Sequence, residues 1–138
     1  MKLILPFSVV LPRKKGDRVW ILNLNSYRNT HFQILNQCKI AWKSVVLDAV
    51  EHWYKSEGII PIARMSAPYH FTYTAFPGTN RAFDIANVCS VIDKFTCDAL
   101  QEFGMIGNDN YKSIPEVVYR FGGVDKENPR VELEINGG

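Results

Sequence analysis

Residues 69–104 read YHFTYTAFPGTNRAFDIANVCSVIDKFTCDALQEFG, and the fold turns on the change of period within them. In the first part Tyr69, Phe71, Tyr73 and Ala75 alternate with His70, Thr72 and Thr74, the pattern of a strand with one buried face. Pro77-Gly78-Thr79-Asn80 is a turn. From about Asp84 to Phe103 the period becomes helical, and Gly104 is a stop. Successive helical residues stand about 100° apart, which gathers Ile85, Val88, Ile92, Phe95, Ala99 and Phe103 on one side. Asp84, Asn87, Lys94, Asp98 and Gln101 gather on the other, with Ser90 between and Asp93 at the border.

Working outward, residues 2–11 alternate as a strand, Pro12 to Arg18 is a basic turn, and Val19 to Leu24 is the returning strand of a hairpin. Asn25 to Asn29 reads as loop. From Thr30, Leu35, Cys38, Trp42, Val45, Ala49 and Trp53 recur at helical steps as far as Gly58. Beyond the quoted stretch come a loop (Met105 to Lys112), a strand near Glu116–Phe121, turns at Gly122-Gly123 and Asn128-Pro129, and a strand from Arg130 to Ile135. The order ββαβαββ predicts an α+β fold: a small two-layer sandwich, two helices on one face of a mostly antiparallel sheet, as one domain spanning 1–138.

Composition excludes several classes. Hydrophobic residues make up 46% and charged ones 22%, an ordinary globular balance. Cys38, Cys89 and Cys97 are odd in number and lack CxxC spacing, so they read as small buried hydrophobes in a reducing compartment. The apolar start is cut short by Pro6, and no run approaches the length of a membrane span. A cytoplasmic location without membrane contact is the expectation. Net charge is +2 but unevenly spread: residues 1–81 hold 11 Lys/Arg against four Asp/Glu, and residues 82–138 hold five against ten. A solvated surface accounts for this; so does a basic face for a polyanion beside an acidic pocket that needs a cation.

The second helix and the loop after it carry the candidate chemistry. Asp84 at the helix start has a structural role available as a cap. Asp98 in mid-helix has none, because Asp is a poor helix-interior residue. Asn108-Asp109-Asn110 adds an oxygen-rich triplet. Carboxylates converging from separate elements repel unless a hard cation lies between them, and Mg²⁺ or Mn²⁺ accepts one or two carboxylates, completing its shell with water and phosphate.

The run Asp84-Ile-Ala-Asn87, Asp93-Lys94-Phe95-Thr-Cys-Asp98-Ala99-Leu100, Gly104 and Asn108-Asp109-Asn110 resembles the signature of RusA-type Holliday junction resolvases. The resemblance is concentrated in residues 81–110, and the order of elements extends it over most of the chain. It implies a homodimeric, Mg²⁺-dependent endonuclease, commonly encoded by phages and prophages, that makes paired nicks across four-way DNA junctions. By position it implies Asp84 and Asp109 as metal-binding acids, Lys94 as the catalytic lysine, and Arg81 and Asn87 as DNA contacts. Asp93 or Asp98 would supply a third acid.

Three features depart from that signature. Ala86 stands where a second acid is expected, Asn87 and Lys94 are seven apart rather than three, and Asn108 replaces the first member of an acidic pair. Ala86 is open to three readings: a variant whose ligand is Asp93 or Asp98, an inactivating substitution, or a junction-binding protein that does not cleave. A phage structural or regulatory protein keeping only the fold is the remaining alternative. Arg13, Lys14, Lys15 and Arg18 are candidates for tracking a DNA backbone, as is Arg28 beside Tyr27, with a solvated hairpin tip as the plain alternative. Tyr69, Phe71 and Tyr73 read as core. His31, His52 and His70 share no spacing and receive no role.

Overall fold

Pro6 decides how the chain begins. It cannot donate to a ladder, and the expected single strand over residues 2–11 is instead two. The computed structural model describes residues 1–58 and 66–137, in which β1 (Lys2–Leu5) and β2 (Ser8–Leu11) belong to different sheets. β2 pairs antiparallel with β3 (Arg18–Ile21), the basic turn between them. The segment read as loop after β3 is a short helix, α1 (Leu24–Asn29). Asn23 starts it: its side-chain oxygen accepts from the Ser26 N–H at 2.7 Å, a cap the sequence pattern did not make apparent beside so brief a helix.

The long helix α2 (Phe32–Glu57) stops where Gly58 takes a left-handed φ of 66°. β4 (Tyr69–Phe76) has the expected alternation, with Tyr69, Phe71, Tyr73 and Ala75 buried. Helix α3 (Ile85–Glu102) runs between Asp84 and Gly104, and β5 (Glu116–Phe121) and β6 (Arg130–Gly137) complete the chain. The larger sheet has the order β1-β6-β4-β5. β6 pairs antiparallel with both β1 and β4, whereas β4 and β5 run parallel, so α3 and its following loop form the crossover between them. The α+β class holds, with a mostly antiparallel sheet and a separate two-stranded ribbon.

One face of the large sheet is apolar: Leu3, Leu5, Tyr73, Val131, Leu133 and Ile135 are all buried against the helices. Trp20 ties the ribbon to this core by stacking on Phe95 of α3, ring centroids 5.8 Å apart and planes 6° from parallel. Its indole N–H donates to Thr30 Oγ1 at 2.9 Å. All three cysteines are buried and free, as their spacing suggested. No helix of the described residues is long and apolar enough to cross a membrane.

Trp42 of α2 donates its indole N–H to Thr96 Oγ1 of α3 at 3.0 Å, both side chains fully buried. Thr96→Val keeps the shape but strands a buried N–H, which costs about 1–3 kcal/mol. Urea unfolding of T96V should show a lower midpoint at unchanged slope; a midpoint equal to that of the parent contradicts this packing.

Candidate functional site

Helix α3 has 18 residues, so at about 1.5 Å per residue it is roughly 27 Å long. That length separates the two acids expected to meet. Asp84 is the N-cap, and its carboxylate accepts from the Ala86 N–H at 3.0 Å. Asp109 lies beyond the other end, on the Cys97 side; burial and then Asp93 raise that thiol most, and Asp109 and Asp98 add to the rise. Asp84 and Asp109 therefore do not form one site within a chain. The topology gives the reason: after α3 the chain leads to the start of β5, which pairs parallel with the start of β4 at His70–Glu116, so the loop carrying Asp109 stays at the C-terminal end of the helix.

Asp93, expected at the border of the polar face as a candidate metal ligand, has its carboxylate engaged by three donors instead. The hydroxyls of Tyr73 on β4 and Tyr119 on β5 donate to it at 2.8 and 2.9 Å, and the Cys97 thiol donates at 3.3 Å. Tyr73 and Tyr119 face each other in the parallel register, rings edge to face at 5.8 Å. One helix side chain thus bridges two strands. Burial pushes the hydroxyls and thiols around it upward first, and the negative charge of Asp93 adds to this: Tyr73, Tyr119 and Cys97 all rise, and Cys89 is pushed up to about 12.

Asn87 also has a structural duty, since its side-chain oxygen accepts from the Leu24 N–H at 2.9 Å and pins α1 to α3. In the triplet past α3, Asn108 Oδ1 accepts from the Asp109 N–H and Asn110 Oδ1 from the Lys112 N–H, so both amide oxygens shape the turn. Asp109 itself is exposed. Lys94 and Asp98, one turn apart on α3, are exposed as well. None of Lys94, Asp98 and Asp109 is in a salt bridge among the described residues, where the ion pairs involve Lys2, Lys43 and Arg130.

The basic candidates divide among three places. Arg13, Lys14, Lys15 and Arg18 are exposed at the ribbon tip, and Arg28 is exposed in the last turn of α1. Arg81 is exposed on the loop leading into α3, where it lines a cleft of about 490 Å³ with Asn87, Asp84 and the rings of Phe7 and Phe83. Sequence reading missed this cleft and the Asp93 clamp for the same reason. Both are made by register between strands and by loops crossing in space, and no local period encodes either.

Among the described residues no group of three or more His, Cys, Asp and Glu side chains is arranged to hold a metal ion. Asp98 on α3 and Asp109 on the loop after it remain as exposed hard oxygen donors. Two exposed carboxylates fit Mg²⁺ or Mn²⁺, ions that take most of their shell from water and phosphate. Compared with known proteins, the chain matches no family model and no curated protein.

The cysteine environment has a direct readout. Ellman's reagent at pH 8 should leave Cys38, Cys89 and Cys97 unlabelled in the folded chain and label all three after denaturation; fast labelling of the native chain contradicts this burial. The folded thiol of Cys89 titrates near 12 against an ordinary 9.0, so folding favours the protonated form. Its contribution to stability is complete below pH 9 and declines as pH rises toward 12, read as a falling Tm.

Proposed function

We propose that the chain acts on branched DNA as a RusA-type, metal-dependent endonuclease, with its acidic centre at the C-terminal half of α3. One observation supports the reading: Lys94, Asp98 and Asp109 are all exposed on the C-terminal half of α3 and the loop after it, and among the described residues none of them is in a salt bridge. Lys94 stands one turn before Asp98 and is exposed with it. The resemblance of residues 81–110 supplies the reaction class, and Lys94 and Asp109 are among the residues it singles out. In this reading Asp98 takes the ligand role that the resemblance gives to an acid near Asp84.

Asp98 and Asp109 would hold Mg²⁺ or Mn²⁺, which when bound supplies a water of lowered pKa and offsets phosphate charge. The Lys94 ammonium neutralises charge developing on the non-bridging oxygens of the scissile phosphodiester. The ribbon cations and Arg81 hold flanking phosphates, which fix register without reading sequence. Paired nicks in the two arms of a junction require two such centres, hence a homodimer.

A second reading, a junction-binding protein that does not cut, is favoured by two observations. Ala86 is an exposed methyl where the resemblance expects an acid, and Asp84 is spent on its cap.

A labelled four-way junction incubated with the chain and Mn²⁺ separates the two readings. Symmetric nicks are expected. Asp98→Asn and Asp109→Asn should each abolish them, and Lys94→Ala should slow them on the order of 10²-fold. Asp84→Asn should cut normally, because Asn is also a good N-cap. A junction retarded but never nicked would establish the binder. Cleavage lost in D84N but retained in D98N and D109N would put the acids at the wrong end of α3.

A further inference from the structure

Three clefts share walls and form one path across the molecule. The first, about 390 Å³, runs between β3 and α1 past Arg18, Val19, Asn25 and Asn29. Ile21 is common to it and to the second cleft, the one lined by Arg81. The third, about 230 Å³, lies on the other side of the loop over residues 77–83 and shares Pro77, Arg81 and Phe83 with the second. It ends at an aromatic notch, where Phe83 and Phe121 meet edge to face at 6.4 Å and Phe121 is 54% exposed.

The path begins beside an apolar face that none of the described residues covers. Val10, Val19 and Ile21 point outward from the ribbon and are 52%, 60% and 51% exposed. Beyond them the tip carries Arg13, Lys14, Lys15 and Arg18. Among the described residues neither these cations nor Arg81 is in a salt bridge. Asp84 is the carboxylate lining the clefts, and it faces its own helix N–H.

We infer that this path binds an unpaired nucleic-acid strand, its phosphates running from the ribbon tip to Arg81 and a base lodged in the Phe83–Phe121 notch. The inference rests on the reading that a nucleic acid is the partner, and it adds the form of that partner and the face that takes it. Unpaired cations along the path select a polyanion. An apolar floor ending in an exposed ring selects a polyanion with free flat apolar groups, which an unpaired strand offers and a closed duplex keeps inside its stack. The surface is concave and lined with amides, and its cations lie beyond the apolar residues at the tip. A membrane-seeking hairpin has the opposite order, apolar at the tip with cations behind.

Fluorescence anisotropy of the full chain with a labelled oligothymidylate, a blunt duplex of equal length, and vesicles of phosphatidylserine and phosphatidylcholine tests this. The oligothymidylate is expected to bind more tightly than the duplex, and the vesicles are expected not to bind. Phe121→Ala, at an exposed edge position, should weaken oligothymidylate binding at least about fivefold, the loss of one base–aromatic stack. Arg81→Ala should weaken it and reduce the log–log salt slope by about 0.7, one phosphate contact on a single strand. Val19→Ser, far from the notch, gives a second and structurally mild reading of the same path and should weaken binding as well. Preferred binding of the duplex or of vesicles, or wild-type affinity in F121A and R81A, overturns the inference. Because the acidic centre is at the other end of α3, the two readings fail separately. Intact junction cutting without strand binding removes only the strand path; strand binding without cutting removes only the nuclease.

Discussion

The carboxylate of Asp93, held between the hydroxyls of Tyr73 and Tyr119, fixes how α3 lies on the sheet. The two tyrosines stand opposite each other on the parallel strands β4 and β5, so a single side chain closes the β4-α3-β5 crossover. A partly buried carboxylate without a cation is costly unless its oxygens are satisfied, and here two hydroxyls and a thiol satisfy them. With that contact set, the rotation of α3 is set. Cys89, Ile92, Phe95 and Thr96 turn inward, and Lys94 and Asp98 turn out. The candidate chemistry is therefore a consequence of one structural acid, and that acid is not itself free for metal.

The rigid length of α3 then divides the molecule's work. At its first turn lie the capped Asp84, the Arg81 loop and the clefts that reach back to the ribbon. At its last turns lie Asp98 and, across the return loop, Asp109. The exposed Arg81 and the exposed Asp98 are thus held apart along α3.

Much of the fold could be read from residue order. The alternation of residues 69–76 and the helical period after Asp84 are local patterns, and local patterns determine element type. Gly58 and Gly104, both at positive φ, end their helices where their position suggested. The split at Pro6 and the six-residue helix after Asn23 were not legible, because each depends on which sheet or helix a short segment joins. The site was legible only as residue types. Asp84 holds the cap that its place at the helix start suggested, whereas Asn87 and Asp93 hold the start of α1 and two tyrosines, which no local pattern announced. A polar residue on a helix looks the same in sequence whether it faces solvent, a backbone N–H or a buried hydroxyl.

The proposed acidic centre requires that a divalent ion bind at the C-terminal half of α3 and not at its start. Titrating Mn²⁺ into isotope-labelled protein and following the amide signals by NMR answers this directly, because the ion broadens nearby resonances and spares distant ones. Loss of the signals of residues 94–98 and 107–110, with those of 84–87 unaffected, is the expected result. Broadening confined to residues 84–87, or no localised broadening anywhere, would contradict an acidic centre built by Asp98 and Asp109.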